Sequence, residues 1–138
     1  EFGTWIRSDA WSIRTLQRVT AGTSGAVTSV GTTAMFAGAA AYAALAAALQ
    51  LVPPQVWLTV ALGAICGATA DTIAGAWVQE RRWCGRCERP TEQVRHRCGD
   101  RTDVTGGVRG LDNDLVNALA TILGACVAAW LFQAGQTT

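Results

Sequence analysis

Apolar residues fill the chain almost without interruption from 26 to 52 and again from 55 to 78, and a third such run opens near Leu111 and closes near Phe132. Between Arg18 and Asp71 there is no Lys, Arg, Asp or Glu. That gap of about fifty residues is long enough for two bilayer crossings of roughly 20 residues each. A soluble core helix of this composition would normally show a polar face. Pro53-Pro54 separates the first two, because proline lacks the helix donor and restrains its predecessor. The pattern therefore predicts an all-α polytopic membrane protein forming a single membrane domain over 1–138. Its transmembrane helices are expected at 25–52, 55–78 and 113–132, with a Cys/His loop at 79–112. Residues 1–24 mix Trp5, Ile6, Trp11 and Ile13 with Arg7, Arg14 and Arg18, which suits a segment lying at the membrane surface.

Polar positions inside these runs come next. Gly63, Gly67, Asp71 and Gly75 recur every four residues, so a helix carries them on one face. The glycines leave a strip for close helix packing, with one carboxylate set into it. An acid in a membrane helix faces protein, a cavity or a ligand; Asp71 either bonds a neighbouring helix or binds a metal ion or substrate. The stretch Gly22-Thr23-Ser24-Gly25 ahead of the first helix is open to two readings. It can cradle phosphate with Arg18 close by, or it is an ordinary helix start capped by Thr23 or Ser24. Asp112 is a natural N-cap for the third helix. Capping leaves Asn113, Asp114, Asn117 and Thr121 unexplained, and polar groups carried into the membrane bond across helices or line a site.

Composition adds a metal question. Cys84-Gly85-Arg86-Cys87 is followed by His96-Arg97-Cys98, four soft ligands with spacing suited to a structural tetrahedral zinc. A redox pair or unligated thiols are the alternatives, while Cys66 and Cys126 read as small packing residues. The net charge is only +1, but all eleven basic residues are Arg, grouped before the first helix and in the Cys/His loop. Both groups flank helix ends on one side. The positive-inside rule then puts the N-terminus and the Cys/His loop in the cytosol, with an inner or plasma membrane location if the source is prokaryotic. The same rule accounts for the arginines without nucleic acid, and aromatic interleaving is sparse.

The order of motifs resembles a known family. Arg-Val-Thr-Ala-Gly-Thr-Ser-Gly-Ala-Val (18–27), Gly-Ala-Thr-Ala-Asp-Thr-Ile-Ala-Gly-Ala (67–76), the Cys/His pairs (84–99) and Leu-Asp-Asn-Asp-Leu-Val-Asn (111–117) look like the integral membrane family catalogued as domain of unknown function 92. That family includes plant phytyl-phosphate kinase and the transmembrane-protein-19 group. The likeness covers its C-terminal half. Family members carry an earlier half ending in Asp-Thr-x-Ala-Ser-Glu-x-Gly, whose tail Glu1-Phe2-Gly3 resembles, so a missing N-terminal half or a second copy is an expected partner. Where the family reads Pro-Gly-Thr-Asn-Gly-Gly, this chain reads Ala-Gly-Thr-Ser-Gly-Ala.

The resemblance implies a kinase that transfers phosphate from a nucleoside triphosphate, CTP in the first instance, to a prenyl or phytyl monophosphate. It implies Mg²⁺ at Asp71 with Asp112 or Asp114. Phosphate contacts fall to Arg18, Gly22, Thr23, Ser24 and Gly25, with Thr72 beside them, and orientation falls to Asn113 and Asn117. Phosphoryl transfer works largely by positioning and charge neutralisation, and Mg²⁺ needs only one or two carboxylates beside phosphate oxygens. The competing readings are a non-catalytic membrane protein whose zinc loop docks a partner, and a small transporter with Asp71 in the path.

Overall fold

A computed structural model describes residues 9–20, 23–53 and 56–136. Three helices dominate it: α1 (Ser29–Ala48), α2 (Trp57–Trp77) and α3 (Asn113–Gln136). Each is long and apolar enough to cross a membrane. Phe36, Leu45, Leu58, Ile122 and Trp130 point outward, as side chains do when lipid rather than protein is the solvent. The interior is built from small residues instead: Ala39, Ala43 and Ala46 of α1 and Ala61 and Ala76 of α2 are buried.

The ends of these helices depart from the expected ones for local reasons. The first helix begins at Ser29 rather than 25, because Ala26–Val27 pair as a strand and Thr28 takes an extended conformation as N-cap. Its hydroxyl accepts the Gly31 N–H at 2.9 Å, satisfying a donor that the helix leaves open. The helix ends at Ala48, and Gln50 turns the chain with φ 57°. Pro54 and Gln55 lie outside the described residues. At the other end α3 continues past Phe132 to Gln136, since Gln and Ala favour helix nearly as well as the apolar residues before them.

The expected all-α class needs correction. Two small three-stranded antiparallel sheets flank the helices. The first, in order β2-β1-β3, joins β1 (Ala10–Ser12), β2 (Arg18–Val19) and β3 (Ala26–Val27). The second, in order β5-β4-β6, joins β4 (Arg81–Cys84), β5 (Arg89–Thr91) and β6 (Asp103–Gly106). Strands of two to four residues are too short to establish a period of two in the sequence. Pro90 sits on β5, an edge strand of its sheet, where a missing donor is tolerated. Residues 1–8 of the expected surface segment lie outside the described residues; residues 10–19 of it form the β1–β2 hairpin.

Helix α2 is central, packing extensively against α3 and less so against α1. A Cβ on Gly63 would stand 2.5 Å from the Gly124 carbonyl oxygen, and one on Gly124 2.7 Å from that of Gly63. Gly67 meets Ala120 in the same way, at 2.8 Å. Small residues spaced by four on both helices thus bring the backbones together. Gly75 faces a different neighbour, the Ser24–Gly25 loop. A step of four residues drifts about 40° around a helix, so three steps carry Gly75 about 120° from Gly63.

Candidate functional site

A cleft of about 1610 Å³ opens beside α2, with residues of all three helices and of the 23–28 segment in its wall. Thr23, Ser24 and Gly25 line it together with Asp71 and Thr72 of α2 and Asn113 and Asn117 of α3. Three polar features that are far apart in sequence therefore line the same cleft. Gly25 is required at its place: φ is 71°, and a Cβ would fall 2.3 Å from the Ala76 Cα. The loop is pressed so tightly on α2 that no side chain fits between them.

Several of these groups are uncommitted. Among the described residues, Asp71, Asn113 and Asn117 spend their side chains on no neighbour. Thr72 returns its hydroxyl proton to the Ala68 carbonyl at 3.0 Å, and Thr23 gives its own to Thr20 at 2.7 Å. Both keep lone pairs free.

Arg18, Asp112 and Asp114 are not in the cleft wall. The Arg18 guanidinium pairs with Asp9 at 3.3 Å and lies over the Trp11 ring, 5.5 Å from its centre, on the first sheet. Asp112 caps α3, its Oδ1 accepting the Leu115 N–H at 3.0 Å, and Asp114 is an exposed acid in the first turn, where it suits the helix dipole. Gly22 lies outside the described residues.

Two residues that the sequence pattern did not single out also line the cleft, Gln79 and Glu92. Ser24 Oγ donates to Gln79 Oε1 at 2.7 Å, and Gln79 Nε2 donates to Glu92 Oε1 at 3.1 Å. Gln79 follows the last turn of α2 and Glu92 follows β5, so in sequence both look like ordinary loop residues. A turn holds Gln79 in place: Val108 N–H bonds the Val78 carbonyl, and a Cβ on Gly107, whose φ is 79°, would overlap the Gln79 carbonyl.

The second sheet gathers the soft ligands. Cys84 ends β4, Cys87 lies in the turn to β5, and His96 and Cys98 lie in the connection to β6. Their ligand atoms all fall within 4.8 Å of one another, with Cys84 and Cys98 sulfurs 3.6 Å apart and His96 Nδ1 3.3 Å from Cys98 Sγ. Sulfurs around a tetrahedral zinc stand about 3.8 Å apart, so the set fits that ion. Backbone N–H of Asp100 first, then His96, pull the Cys98 thiol down to about 6, while its hydrogen bond to Cys98 above all pushes Cys87 up to about 11. One sulfur of the three is thus ready as thiolate near neutral pH, the form a metal takes.

Residues 1–125 match the model of a family described as integral membrane protein DUF92. No curated protein and no solved structure matches the chain.

Proposed function

Because the chain belongs to the DUF92 family of integral membrane proteins, we propose that it works as a membrane-embedded, nucleotide-dependent kinase of a prenyl or phytyl monophosphate. An oxygen of the lipid monophosphate attacks the γ-phosphorus of a nucleoside triphosphate, CTP in the first instance. The bond from that phosphorus to the β–γ bridging oxygen breaks, leaving a prenyl diphosphate and a nucleoside diphosphate. The observation that carries this reading is the convergence of Ser24–Gly25, Asp71 and Asn113/Asn117 on one cleft that continues between apolar helices. A lipid phosphate puts its head at such a polar end and its tail along the helices.

Within this reading Asp71 holds the nucleotide's Mg²⁺, the backbone N–H groups of Ser24 and Gly25 receive phosphate oxygens, Thr23 N–H being bonded to Thr20, and the Asn113 and Asn117 amides orient the acceptor. A Mg²⁺ ion held by Asp71 would supply positive charge against the phosphates. The cleft wall has acids and, among the described residues, no basic side chain, so a phosphate entering it needs a cation. Arg18 and Asp112 are held elsewhere and Asp114 is exposed outside the cleft wall, so all three drop out of the direct roles. Zinc at Cys84, Cys87, His96 and Cys98 serves structure, since four protein ligands leave no open position. All three Arg-flanked helix ends are at one side, so the Cys/His sheet belongs in the cytosol, where the nucleotide is. A second copy of the chain is the proposed partner.

The test is thermal stabilisation of the purified chain in detergent by CTP and by ATP, each with and without Mg²⁺. A ligand that binds only the folded state raises its apparent stability. A Mg²⁺-dependent rise that Asp71→Asn abolishes is the expected result. If neither nucleotide stabilises the chain, alone or co-expressed with an N-terminal half, the kinase reading fails.

A further inference from the structure

Gln79 is only 3% exposed, yet it lines the cleft and both ends of its amide are bonded. An ionised carboxylate accepts hydrogen bonds and has none to give. Glu92 therefore selects the NH₂ end of the Gln79 amide, which donates to it at 3.1 Å. The carbonyl end is left for Ser24. A carbonyl also only accepts, so Ser24 spends its one hydroxyl proton on Gln79, at 2.7 Å. What Ser24 keeps for the cleft is lone pairs alone.

We propose that Glu92 and Gln79 are positioning residues that fix Ser24 Oγ as an oxygen ligand, and that Ser24 and Asp71 together take a divalent cation of the Mg²⁺ type. Lone pairs suit a hard cation and repel a phosphate oxygen. The charge of the cleft agrees, since it presents Asp71 and Glu92 and, among the described residues, no Arg or His. This inference rests on the cleft reading above and changes one assignment in it. The Ser24 and Gly25 backbone remains with phosphate, whereas the Ser24 side chain goes to the cation.

The relay joins three parts of the chain: the loop before β3, the end of α2, and the residue after β5. Gly75 makes room for it. A Cβ there would stand 3.1 Å from Ser24 Oγ and 3.2 Å from Gln79 Oε1, crowding both partners of the hydrogen bond. Glu92 is carried by the sheet that bears Cys84, so the Cys/His sheet reaches the cleft through one carboxylate.

The experiment uses the zinc-saturated chain in detergent with Mn²⁺ as probe, free Mn²⁺ being counted by electron paramagnetic resonance and Mg²⁺ added as competitor. Ser24→Ala, Gln79→Leu and Glu92→Gln are each expected to weaken Mn²⁺ binding by about 10- to 100-fold, the range for groups that orient metal ligands. Ser24→Thr keeps the hydroxyl and retains binding. Adding Gln79→Leu or Glu92→Gln to Ser24→Ala costs nothing further, because both act through Ser24. A purely structural role lowers the melting temperature and leaves Mn²⁺ affinity alone. Should Gln79→Leu fail to fold, Glu92→Gln, a surface change of equal size, carries the test. Wild-type affinity in Glu92→Gln, full additivity with Ser24→Ala, or no Mn²⁺ uptake by the unaltered chain overturns the proposal. Coupled Mn²⁺ binding without nucleotide stabilisation leaves the relay standing and removes the kinase. Nucleotide stabilisation without that coupling does the reverse.

Discussion

Glu80 sits at the bend between α2 and β4, 7% exposed, with its carboxylate on the Gly110 N–H at 2.6 Å and against Arg82. The Gly110 N–H above all, with Arg82 after it, holds the carboxyl below its ordinary value of 4.5. A carboxyl whose folded pKa is depressed contributes stability that is complete above its unfolded pKa and is lost as pH falls through the folded one. The melting temperature in detergent is therefore expected to fall on the acid side of about pH 4.5. Glu80→Gln lowers it at neutral pH and flattens that acid limb; an unchanged limb in the variant would assign the pH dependence to other acids. Nothing in the pattern around Gln79-Glu80 announced two buried polar residues. Their partners, Gly110, Glu92 and Ser24, come from distant segments.

At the scale of elements, the α2–α3 contact shows what a small-residue pattern can predict. Gly63 and Gly67 were legible as a packing strip because the spacing of four is local. Their partners Ala120 and Gly124 were not, because nothing in either helix specifies which faces meet. Gly124→Ala places a methyl 2.7 Å from the Gly63 carbonyl oxygen. Forcing the helices apart in this way is expected to cost about 1–3 kcal/mol. Denaturant titration in mixed micelles measures it, with Gly38→Ala, where an added Cβ meets nothing within 4 Å among the described residues, as the control for the change in helix propensity alone.

Across the whole molecule, the Cys/His sheet and the polar end of the cleft lie at the Arg-flanked ends of the helices, where β4 follows α2 and α3 begins. An impermeant thiol reagent applied to sealed inside-out vesicles tests both the side and the metal. Cys84, Cys87 and Cys98 are expected to resist it until a zinc chelator is added, then to react together. Reaction only in right-side-out vesicles would reverse the topology, and immediate reaction without chelator would remove the zinc.

What this sequence determined by itself was whatever depends on near neighbours along the chain: three apolar helices, the Asp112 cap, the small-residue strip on α2 and the paired soft ligands, whereas the first helix ends at Ala48 and turns at Gln50, ahead of the expected proline stop. Each is set by spacing within a few residues, where helix period or turn geometry decides the outcome. Tertiary structure alone decided the rest. It paired Ala10–Ser12 with Arg18–Val19 and Ala26–Val27 in a sheet, kept Arg18 on Trp11 and Asp9, and turned Gly75 toward Ser24. It also supplied Gln79 and Glu92 to the cleft. The physical reason is that a hydrogen bond or close contact between segments depends on where both partners end up, and each segment's own pattern records only one of them.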